Sequence, residues 1–201
     1  MESATQTRRK TGRPRSFDRD AALHAAMLTF WRHGYESTSV ADLTAAMGIT
    51  PPSLYGAFGD KKRLFRETVG LYLSAEPPEP AIAAASSARE AAQRLLTASA
   101  EGVTGDNTPT GCLLATSALS CSTAAADVQA EIAAIRHGIE AALRARIQTD
   151  IDDGTLPDDT DADALAGHMM AMTQGLSTLA RDGASREKLL RVVAQAMKAW
   201  P

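Results

Sequence analysis

The sequence predicts an all-α protein of about nine helices. No stretch of its 201 residues alternates apolar and polar side chains for long enough to indicate a β-strand. Apolar residues instead recur at helical spacing, and the clearest case is a run in steps of three and four that lies on one face of a long helix: Val128, Ile132, Ile135, Ile139, Leu143 and Ile147. Helix start and stop signals divide the remaining chain in the same way. The expected helices cover residues 19–33, 40–47, 51–58, 61–75, 88–102, 112–120, 128–147, 162–181 and 186–200.

The chain begins with a polar stretch that precedes the first helix. Residues 1–16 are rich in Lys and Arg and contain no apolar stripe, so we expect a disordered basic arm. Asp18 is a suitable N-cap for the first helix, and Gly34 ends that helix.

The next three helices are short and closely spaced. Ser39 and Asp42 form a capping box at the start of the second helix, and Gly48 closes it. Thr50 is the expected cap of the third helix, which tolerates prolines in its first turn because those N–H groups need no partner. Asp60 is the expected cap of the fourth.

Three prolines after the fourth helix mark a domain boundary. Pro77, Pro78 and Pro80 lack the backbone N–H that a continuing helix requires. We therefore expect a first domain at residues 17–76 and a second, helical domain at residues 77–201. An acidic linker, beginning at Asp150, is expected before the last two helices.

The two parts of the chain carry opposite charge. Residues 1–66 hold 11 Lys or Arg against 6 Asp or Glu, whereas residues 67–201 hold 10 against 18. A basic N-terminal part favours an anionic partner for that part, and nucleic acid is the first candidate. A solvated basic tail is the alternative.

Composition argues against several classes of protein. No apolar run reaches 18 residues, so we expect no transmembrane helix, and the polar first ten residues do not resemble a secretory signal. Cys112 and Cys121 are too few for a disulfide framework and lack partners at zinc-ligand spacing. We therefore expect a cytoplasmic protein with no metal, no cofactor and no membrane association.

The second and third helices have the spacing of a helix-turn-helix. They are separated by Gly48-Ile49-Thr50, and a turn of three or four residues containing glycine is what this motif requires. Residues 22–72 contain a further set of residues in register: Ala26, Phe30, His33-Gly34-Tyr35-Glu36-Ser37-Thr38-Ser39-Val40, Leu43, Ala46-Met47-Gly48-Ile49, Leu54-Tyr55, Phe58-Gly59-Asp60-Lys61 and Leu64. With these residues the stretch resembles the DNA-binding domain of TetR-family (tetracycline-repressor-like) transcriptional regulators.

The resemblance implies a homodimer that binds a roughly palindromic operator in double-stranded DNA. Two recognition helices related by a two-fold axis would enter successive major grooves. The recognition helix corresponds to residues 50–58, in which Leu54 and Phe58 anchor the helix to the core. The solvent-facing candidates for DNA contact are Thr50, Pro52, Ser53, Tyr55 and Gly56.

This recognition helix has no Arg, Asn or Gln, so bidentate base contacts of the usual kind are unavailable. We expect specificity from thymine methyl contacts, hydroxyl groups and operator shape. Arg13 and Arg15 are candidates for the flanking minor groove. Candidates for phosphate contact are Thr38, Ser39, Tyr55 and Lys61; the resemblance assigns that role to Lys61, and Ser39 alone is an ordinary helix cap. Lys62 and Arg63 are expected to be solvated.

The resemblance implies that the second domain binds an effector and forms the dimer. Three stretches are similar to a subgroup that responds to reactive electrophiles and small organic acids: Gly111-Cys112-Leu113-Leu114, residues 176–180 after Gln174-Gly175, and Gly183-Ala184-Ser185-Arg186-Glu187. After residue 67 the only aromatic residues are Tyr72 and Trp200, which favours a small or aliphatic ligand. The candidate pocket residues, each also compatible with plain core packing, are Leu95, Cys112, Leu113, Ile135, Ile139, Met169 and Met172.

Cys112 is also a candidate sensor of oxidants or electrophiles. It follows a glycine at a predicted helix start, where the helix dipole favours a thiolate. A buried, inert thiol is the alternative for Cys112 and for Cys121.

The last two helices are expected to form a four-helix bundle with those of a second subunit. They carry more apolar residues than one domain is expected to cover, and small residues permit close approach. The candidate interface residues are Leu165, Met172, Leu176, Leu179, Leu189, Val193, Met197 and Trp200; packing within one chain is the alternative.

Taken together, these features predict a repressor released from DNA by a small molecule or an electrophile. One competing interpretation is a thiol-dependent enzyme, with Cys112 as the nucleophile and His137 or His168 as the base. No oriented third group, phosphate loop or metal spacing supports it, so no catalytic residue is assigned. The other is an architectural DNA-binding protein without an effector.

Overall fold

The computed structural model describes residues 17–75, 77–105, 107–119 and 121–201. Within these ranges the chain is all-α, as predicted. The α-helices are α1 (Arg19–His33), α2 (Val40–Met47), α3 (Pro51–Phe58), α4 (Lys61–Ala75), α5 (Pro78–Ala83), α6 (Ala88–Gly102), α7 (Leu113–Thr116), α8 (Ala126–Asp152), α9 (Ala162–Arg181) and α10 (Arg186–Ala196). Two 3-10 segments, Thr123–Ala125 and Met197–Ala199, precede α8 and follow α10. The predicted basic arm, with Arg13 and Arg15, lies outside the described residues.

Helices α1 to α4 pack around an aromatic core. α1 lies against both α2 and α4. The Phe30 ring meets the Phe65 ring edge-on, with 5.0 Å between centroids, and Tyr35 lies 5.0 Å from the same Phe65 ring. As predicted, the Asp18 side chain caps α1, and Gly34 ends it at φ +80°, a conformation that favours glycine. This core fixes the short helices α2 and α3 to α1 and α4.

Helices α5 to α10 form a second packed group around the long α8. α8 packs against α5, α6 and α9, and α10 packs against α6 and α9. α4 ends at Ala75, before the prolines, as predicted, but α5 was not predicted. Pro78 begins this new helix, since it occupies a first-turn position where its missing N–H costs nothing. α7 is shorter than the predicted helix at 112–120.

Asp150 differs most from its expected position. The sequence places it in an exposed acidic linker, but α8 continues to Asp152 and buries the Asp150 side chain. Its Oδ2 accepts a hydrogen bond from the Ala88 N–H at 2.7 Å, at the first turn of α6, and its Oδ1 pairs with Arg146. The carboxylate therefore joins α8 to the start of α6.

No helix in the described part of the chain combines the length and the hydropathy needed to cross a bilayer.

Candidate DNA-binding surface and effector cavity

α2 and α3 form a helix-turn-helix in which each end is fixed by local hydrogen bonds. Ser39 and Asp42 make the predicted capping box, with the Asp42 N–H donated to the Ser39 hydroxyl at 3.1 Å and the Ser39 N–H to the Asp42 carboxylate at 2.9 Å. Gly48 ends α2 in the left-handed conformation, at φ +65°. The chain therefore reverses within three residues and starts α3 at Pro51.

α3 presents a short, neutral face to solvent. Leu54 and Phe58 are buried and anchor the helix, as predicted, while the Tyr55 side chain is 51% exposed. The Thr50 hydroxyl bonds to the Ser53 hydroxyl at 3.0 Å and makes no hydrogen bond to the backbone of α3. Pro51 and Pro52 offer no N–H to a cap, and the Ser53 N–H, at the third position of α3, is not donated to the Thr50 side chain. Pro52 and Gly56 lie exposed on the same helix.

The start of α2 offers fewer side-chain groups for phosphate contact than the sequence indicates. Thr38 is buried, and its hydroxyl is donated to the Gly34 carbonyl at 2.6 Å, so its side chain faces the protein and not solvent. The Ser39 hydroxyl is donated to Asp42 at 2.6 Å, and this hydrogen bond lowers the pKa of the Asp42 carboxyl. The groups left for a phosphate at this helix start are first-turn backbone N–H groups.

The three cations next to α3, Lys61, Lys62 and Arg63, differ in their partners and their exposure. The Lys61 ammonium lies 4.4 Å from the centre of the Tyr35 ring, and burial lowers its pKa. Lys62 was expected to be solvated, but its ammonium pairs with Asp127 of α8 at 2.7 Å. Arg63, which was expected to be solvated, is exposed beside Gly59 and is a further cation at the end of α3.

A cavity of about 390 Å³ lies where the two groups of helices meet. Its walls come from α1, α4, α6, α8 and α9, from the first residue of α5 and from the segment around α7. Trp31 of α1 and Tyr72 of α4 form part of the wall, with their rings edge-to-face at 5.0 Å. The cavity therefore borders directly on the helices that hold α2 and α3.

Three of the seven predicted pocket residues line this cavity: Leu95, Cys112 and Ile139. The other four, Leu113, Ile135, Met169 and Met172, do not line it; Leu113 and Met169 are buried in the core. Neighbouring residues take their places, since Leu114 and Met170 point into the cavity in their stead. One-residue errors of this kind arise because helical spacing alone does not fix the rotation of a helix.

The aromatic part of the cavity wall was not predicted. Trp31 belongs to the N-terminal helices, and its indole N–H is donated to the Gly111 carbonyl at 2.7 Å, 80 residues away along the chain. Arg136 and Gln174 also line the cavity and were not predicted. Only the packing of distant segments brings these residues together, and no local pattern indicates it.

Cys112 lies in the cavity wall, half-buried, and is tied to both groups of helices. The Tyr72 hydroxyl is donated to its Sγ at 3.4 Å, and its backbone N–H is donated to the Ser177 hydroxyl at 2.8 Å. Burial, and next the neighbouring thiol, raises the pKa of Tyr72 far above its usual value, so the phenol stays a hydrogen-bond donor. α7 is only four residues long, which weakens the dipole argument for a thiolate.

The other cysteine and the histidines lie apart from the cavity. Cys121 is half-buried near Glu36 and Lys61, and burial raises the pKa of its thiol. His137 and His168 are exposed, and neither lines the cavity that holds Cys112. Across the residues the structure describes, no group of three or more His, Cys, Asp or Glu has the arrangement of a metal site.

The predicted interface residues divide into two sets. Five of them, Leu176, Leu189, Val193, Met197 and Trp200, are buried against other helices of the same chain. The other three, Leu165, Met172 and Leu179, are partly exposed along α9 at seven-residue spacing. They border an exposed strip of small residues on the same helix, which includes Ala164, Ala171 and Gly175.

Ion pairs and hydrogen bonds connect the two groups of helices. Lys62 and Arg66 of α4 pair with Asp127 and Glu131 of α8, and the Arg66–Glu131 pair is bidentate, at 2.8 and 2.5 Å. The Tyr35 N–H is donated to a carbonyl after α7 at 2.7 Å. These contacts join α8 and the segment after α7 to α4 and to the residues that follow α1.

The fold and the exposed recognition helix define a helix-turn-helix transcriptional regulator with a separate helical half. Comparison with known proteins identifies the family. Residues 22–68 match the family model described as bacterial regulatory proteins, tetR family, and residues 89–198 match the one described as tetracyclin repressor-like, C-terminal domain. The chain belongs to the TetR family.

Individual relatives agree with this assignment. The chain is 34% identical over 204 residues to the HTH-type transcriptional repressor ComR of Escherichia coli strain K12, covering all of this chain and 97% of the relative. It is 43% identical to a cysteine mutant of the TetR-family regulator CifR, solved in complex with 26-base-pair operator DNA. That match covers 94% of this chain and 100% of the other, with a TM-score of 0.88. A putative TetR regulator from Rhodococcus sp. RHA1 is 37% identical, covers 92% of this chain and 100% of its own, and has a TM-score of 0.60.

Proposed function

We propose that this protein is a homodimeric repressor that binds a palindromic operator through α3 and is released when a small molecule occupies the cavity between its two groups of helices. The observation that carries the proposal is the shared wall: Trp31 and Tyr72 belong to the helices that position α3 and also line the cavity. The relatives named as a repressor and solved with operator DNA support the DNA-binding half.

On the DNA, the exposed face of α3 favours apolar and hydroxyl contacts. Tyr55 and Pro52 offer apolar surface suited to thymine methyl groups, and Ser53 offers a hydroxyl. Lys61 and the first-turn N–H groups of α2 serve as phosphate contacts, which position the helix without reading bases. Arg13 and Arg15 are proposed to enter the flanking minor groove.

Release would follow from a shift between two conformations. A ligand held between Trp31, Tyr72 and α8 favours the arrangement of α1 and α4 that accommodates it. DNA favours the arrangement that places two α3 helices in successive major grooves. If these arrangements differ, ligand and operator weaken each other's binding by the same factor.

The DNA-binding half is tested by fluorescence anisotropy on the DNA that flanks the gene, at a fixed salt concentration. Tyr55→Ala removes an exposed side chain from α3, and we expect affinity to fall by about tenfold. Leu119→Ala is the matched control, since Leu119 is also 51% exposed but lies on the loop after α7. Equal affinities for the two variants would argue against α3 as the recognition element. Deletion of residues 1–15 should also weaken binding, and unchanged affinity would exclude the minor-groove role.

The effector half is tested by footprinting the same DNA with and without a panel of small molecules. A two-fold symmetric footprint that disappears with one compound supports a ligand-released repressor. A symmetric footprint that none of the compounds changes supports a DNA-binding protein without an effector. An extended, sequence-independent footprint would indicate an architectural protein.

An electrophile is a second route of release, favoured by the position of Cys112 in the cavity wall. In the reaction with an enone or maleimide, the sulfur forms a bond to the β-carbon, the C=C π pair moves to the α-carbon, and that carbon takes up the proton the thiol has lost. The Tyr72 hydroxyl, donated to Sγ at 3.4 Å, holds the sulfur in the cavity wall, where an electrophile in the cavity would meet it. We expect one molecule of N-ethylmaleimide to add to Cys112, which mass spectrometry would detect, and the modified protein to release DNA. Cys112→Ser should abolish this release. Release that persists in Cys112→Ser but not in Cys121→Ser would transfer the role to Cys121.

The dimer is proposed to form through α9. Its exposed small residues allow two helices to approach closely, and Met172 lies beside that strip. Met172→Glu places a charge there, and light scattering should then show a monomer. Lys198→Glu, an exposed charge reversal near the C-terminus, is the control that should remain a dimer. A dimeric Met172→Glu would exclude this face.

A further inference from the structure

Among the described residues, a single charged side chain lines the cavity between the two groups of helices. Eighteen of the described residues line it, and of these only Arg136, on α8, is charged; none is acidic. Most of the remaining wall is apolar, with Leu95, Ile139 and Met170 on one side and the Trp31 and Tyr72 rings on the other. A cation set into such a wall requires an explanation, because a charge beside apolar surface loses hydration.

Arg136 differs from the other arginines of α8 in its partners. Arg144 lies 4.0 Å from Asp163, and Arg146 pairs with Asp150 at 2.5 Å. Arg136 donates from Nη1 to the Leu114 carbonyl at 2.7 Å, and within the described residues no carboxylate lies within 4.0 Å of it. A guanidinium has five N–H donors, so most of its donor capacity is left for a ligand.

A second polar group lies in the same wall. Gln174 of α9 lines the cavity and is half-buried, and its side-chain amide makes no hydrogen bond to the part of the chain described. The Ser99 hydroxyl, also in the wall, is donated to the Leu95 carbonyl at 2.7 Å and keeps its capacity to accept. Among the described lining residues, Arg136 and Gln174 are therefore the nitrogen-bearing side chains with free capacity to donate, and no carboxylate is among those residues.

We propose that the cavity binds a small organic anion with an apolar body, whose carboxylate is held by Arg136. Arginine matches a carboxylate in a bidentate geometry, and such charge-assisted hydrogen bonds are strong in a partly desolvated site. The aliphatic and aromatic walls contact the body of the ligand, and about 390 Å³ is within the range of small-molecule sites. This rests on the proposed function only in taking the cavity as the effector site.

The charge of the ligand follows from the same wall. A cationic amphiphile would be repelled by Arg136 and would find no acidic side chain among the lining residues. A neutral amphiphile fills the apolar space but leaves the guanidinium without a charged partner. The cavity therefore discriminates between ligands of the same shape by their head group.

The test compares octanoate with octanamide and octylammonium, which share one apolar body and differ in charge, below their micellar concentrations. Binding is measured by isothermal titration calorimetry on the full-length protein, and operator release by anisotropy in the same buffers. The variants are Arg136→Gln, Arg136→Lys and the matched control Arg144→Gln, an exposed arginine on the same helix. Thermal unfolding verifies that each variant is folded.

We expect octanoate to bind the wild type at least about tenfold more tightly than octanamide, and octylammonium to bind most weakly. Arg136→Gln should abolish the preference, Arg136→Lys should retain part of it, and Arg144→Gln should leave it unchanged. Absence of octanoate binding, equal binding of octanoate and octanamide, or a preference that survives Arg136→Gln would overturn the inference.

The two readouts separate this inference from the proposed function. Arg136-dependent binding of octanoate without operator release would support the anion site and contradict the role of the cavity as the effector site. Operator release by octanamide as readily as by octanoate would support the effector cavity and overturn the anion site.

Discussion

Trp31 is the residue through which the cavity and the N-terminal helices are most directly joined, and replacing it with phenylalanine separates two of its contributions. Trp31→Phe keeps an aromatic ring that can pack edge-on against Tyr72. It removes the indole N–H, which is donated to the Gly111 carbonyl at 2.7 Å in a buried position. The carbonyl is then left buried without its partner.

The size of the effect follows from that lost partner. A buried acceptor without a donor costs about 1–3 kcal/mol of the free energy of unfolding, to which the smaller ring adds a packing loss. Trp200→Phe provides a matched control: Trp200 is buried to a similar degree, 7% exposed against 5% for Trp31, but its indole N–H has no hydrogen-bond partner in the described structure. The difference between the two variants therefore isolates the hydrogen bond.

The measurement is the midpoint of thermal unfolding at fixed protein concentration, since the proposed dimer would make the midpoint depend on concentration. For a chain of this size, about 1 kcal/mol corresponds to roughly 2–4 °C. We expect Trp31→Phe to unfold at a lower temperature than Trp200→Phe, by at least about that amount. Equal midpoints, or a less stable Trp200→Phe, would refute the hydrogen bond as a significant contribution.

Two further predictions concern the remaining polar links. Asp150→Asn should lower the free energy of unfolding, measured by urea denaturation, by about 2 kcal/mol or more, because it leaves the largely buried Arg146 guanidinium without a charged partner. Glu187→Gln is the control, since Glu187 belongs to an exposed ion pair of the same spacing. This variant should change the free energy of unfolding by less than about 0.5 kcal/mol. The hydrogen bond from Arg66 lowers the pKa of Glu131, so this pair stabilises the fold above the ordinary carboxyl pKa and is lost as pH falls through the lowered one. The unfolding midpoints of wild type and Glu131→Gln should therefore differ by a small, constant amount from pH 6 to 8 and converge below roughly pH 4; a difference that persists in acid would contradict this.

Local signals were sufficient to predict most of the helices and the helix-turn-helix. Capping residues and glycines act within one or two turns, so Asp18, Ser39 and Gly48 mark helix ends at the observed positions. Thr50 occupies the predicted cap position, but its side chain makes no capping hydrogen bond, and the prolines after it leave only the Ser53 N–H as a target in the first three positions. Sequence patterns of this range determine where α2 and α3 begin and end.

The cavity could not be predicted at the same level, because its wall depends on how distant helices are rotated against one another. Apolar spacing identifies the inward face of α9 but not which of Met169 and Met170 reaches the cavity. Asp150 shows the same limit for a charge: a run of acidic residues is typically solvated, and only the approach of α6 explains why this one is buried. Arg136 has no distinguishing sequence feature at all.

In the proposed function, the segment around α7 would connect a ligand in the cavity to DNA binding without contact between the ligand and α3. Within seven residues this segment accepts three hydrogen bonds: the Gly111 carbonyl from Trp31, the Cys112 sulfur from Tyr72 and the Ser117 carbonyl from Tyr35. The three donors belong to the N-terminal helices or follow them directly. The same segment lines the cavity and is held to α9 through the Cys112 N–H. A ligand that moves this segment must therefore either break these hydrogen bonds or carry α1 and α4 with it, and since α2 and α3 pack on those helices, the second course changes the position of the recognition helix.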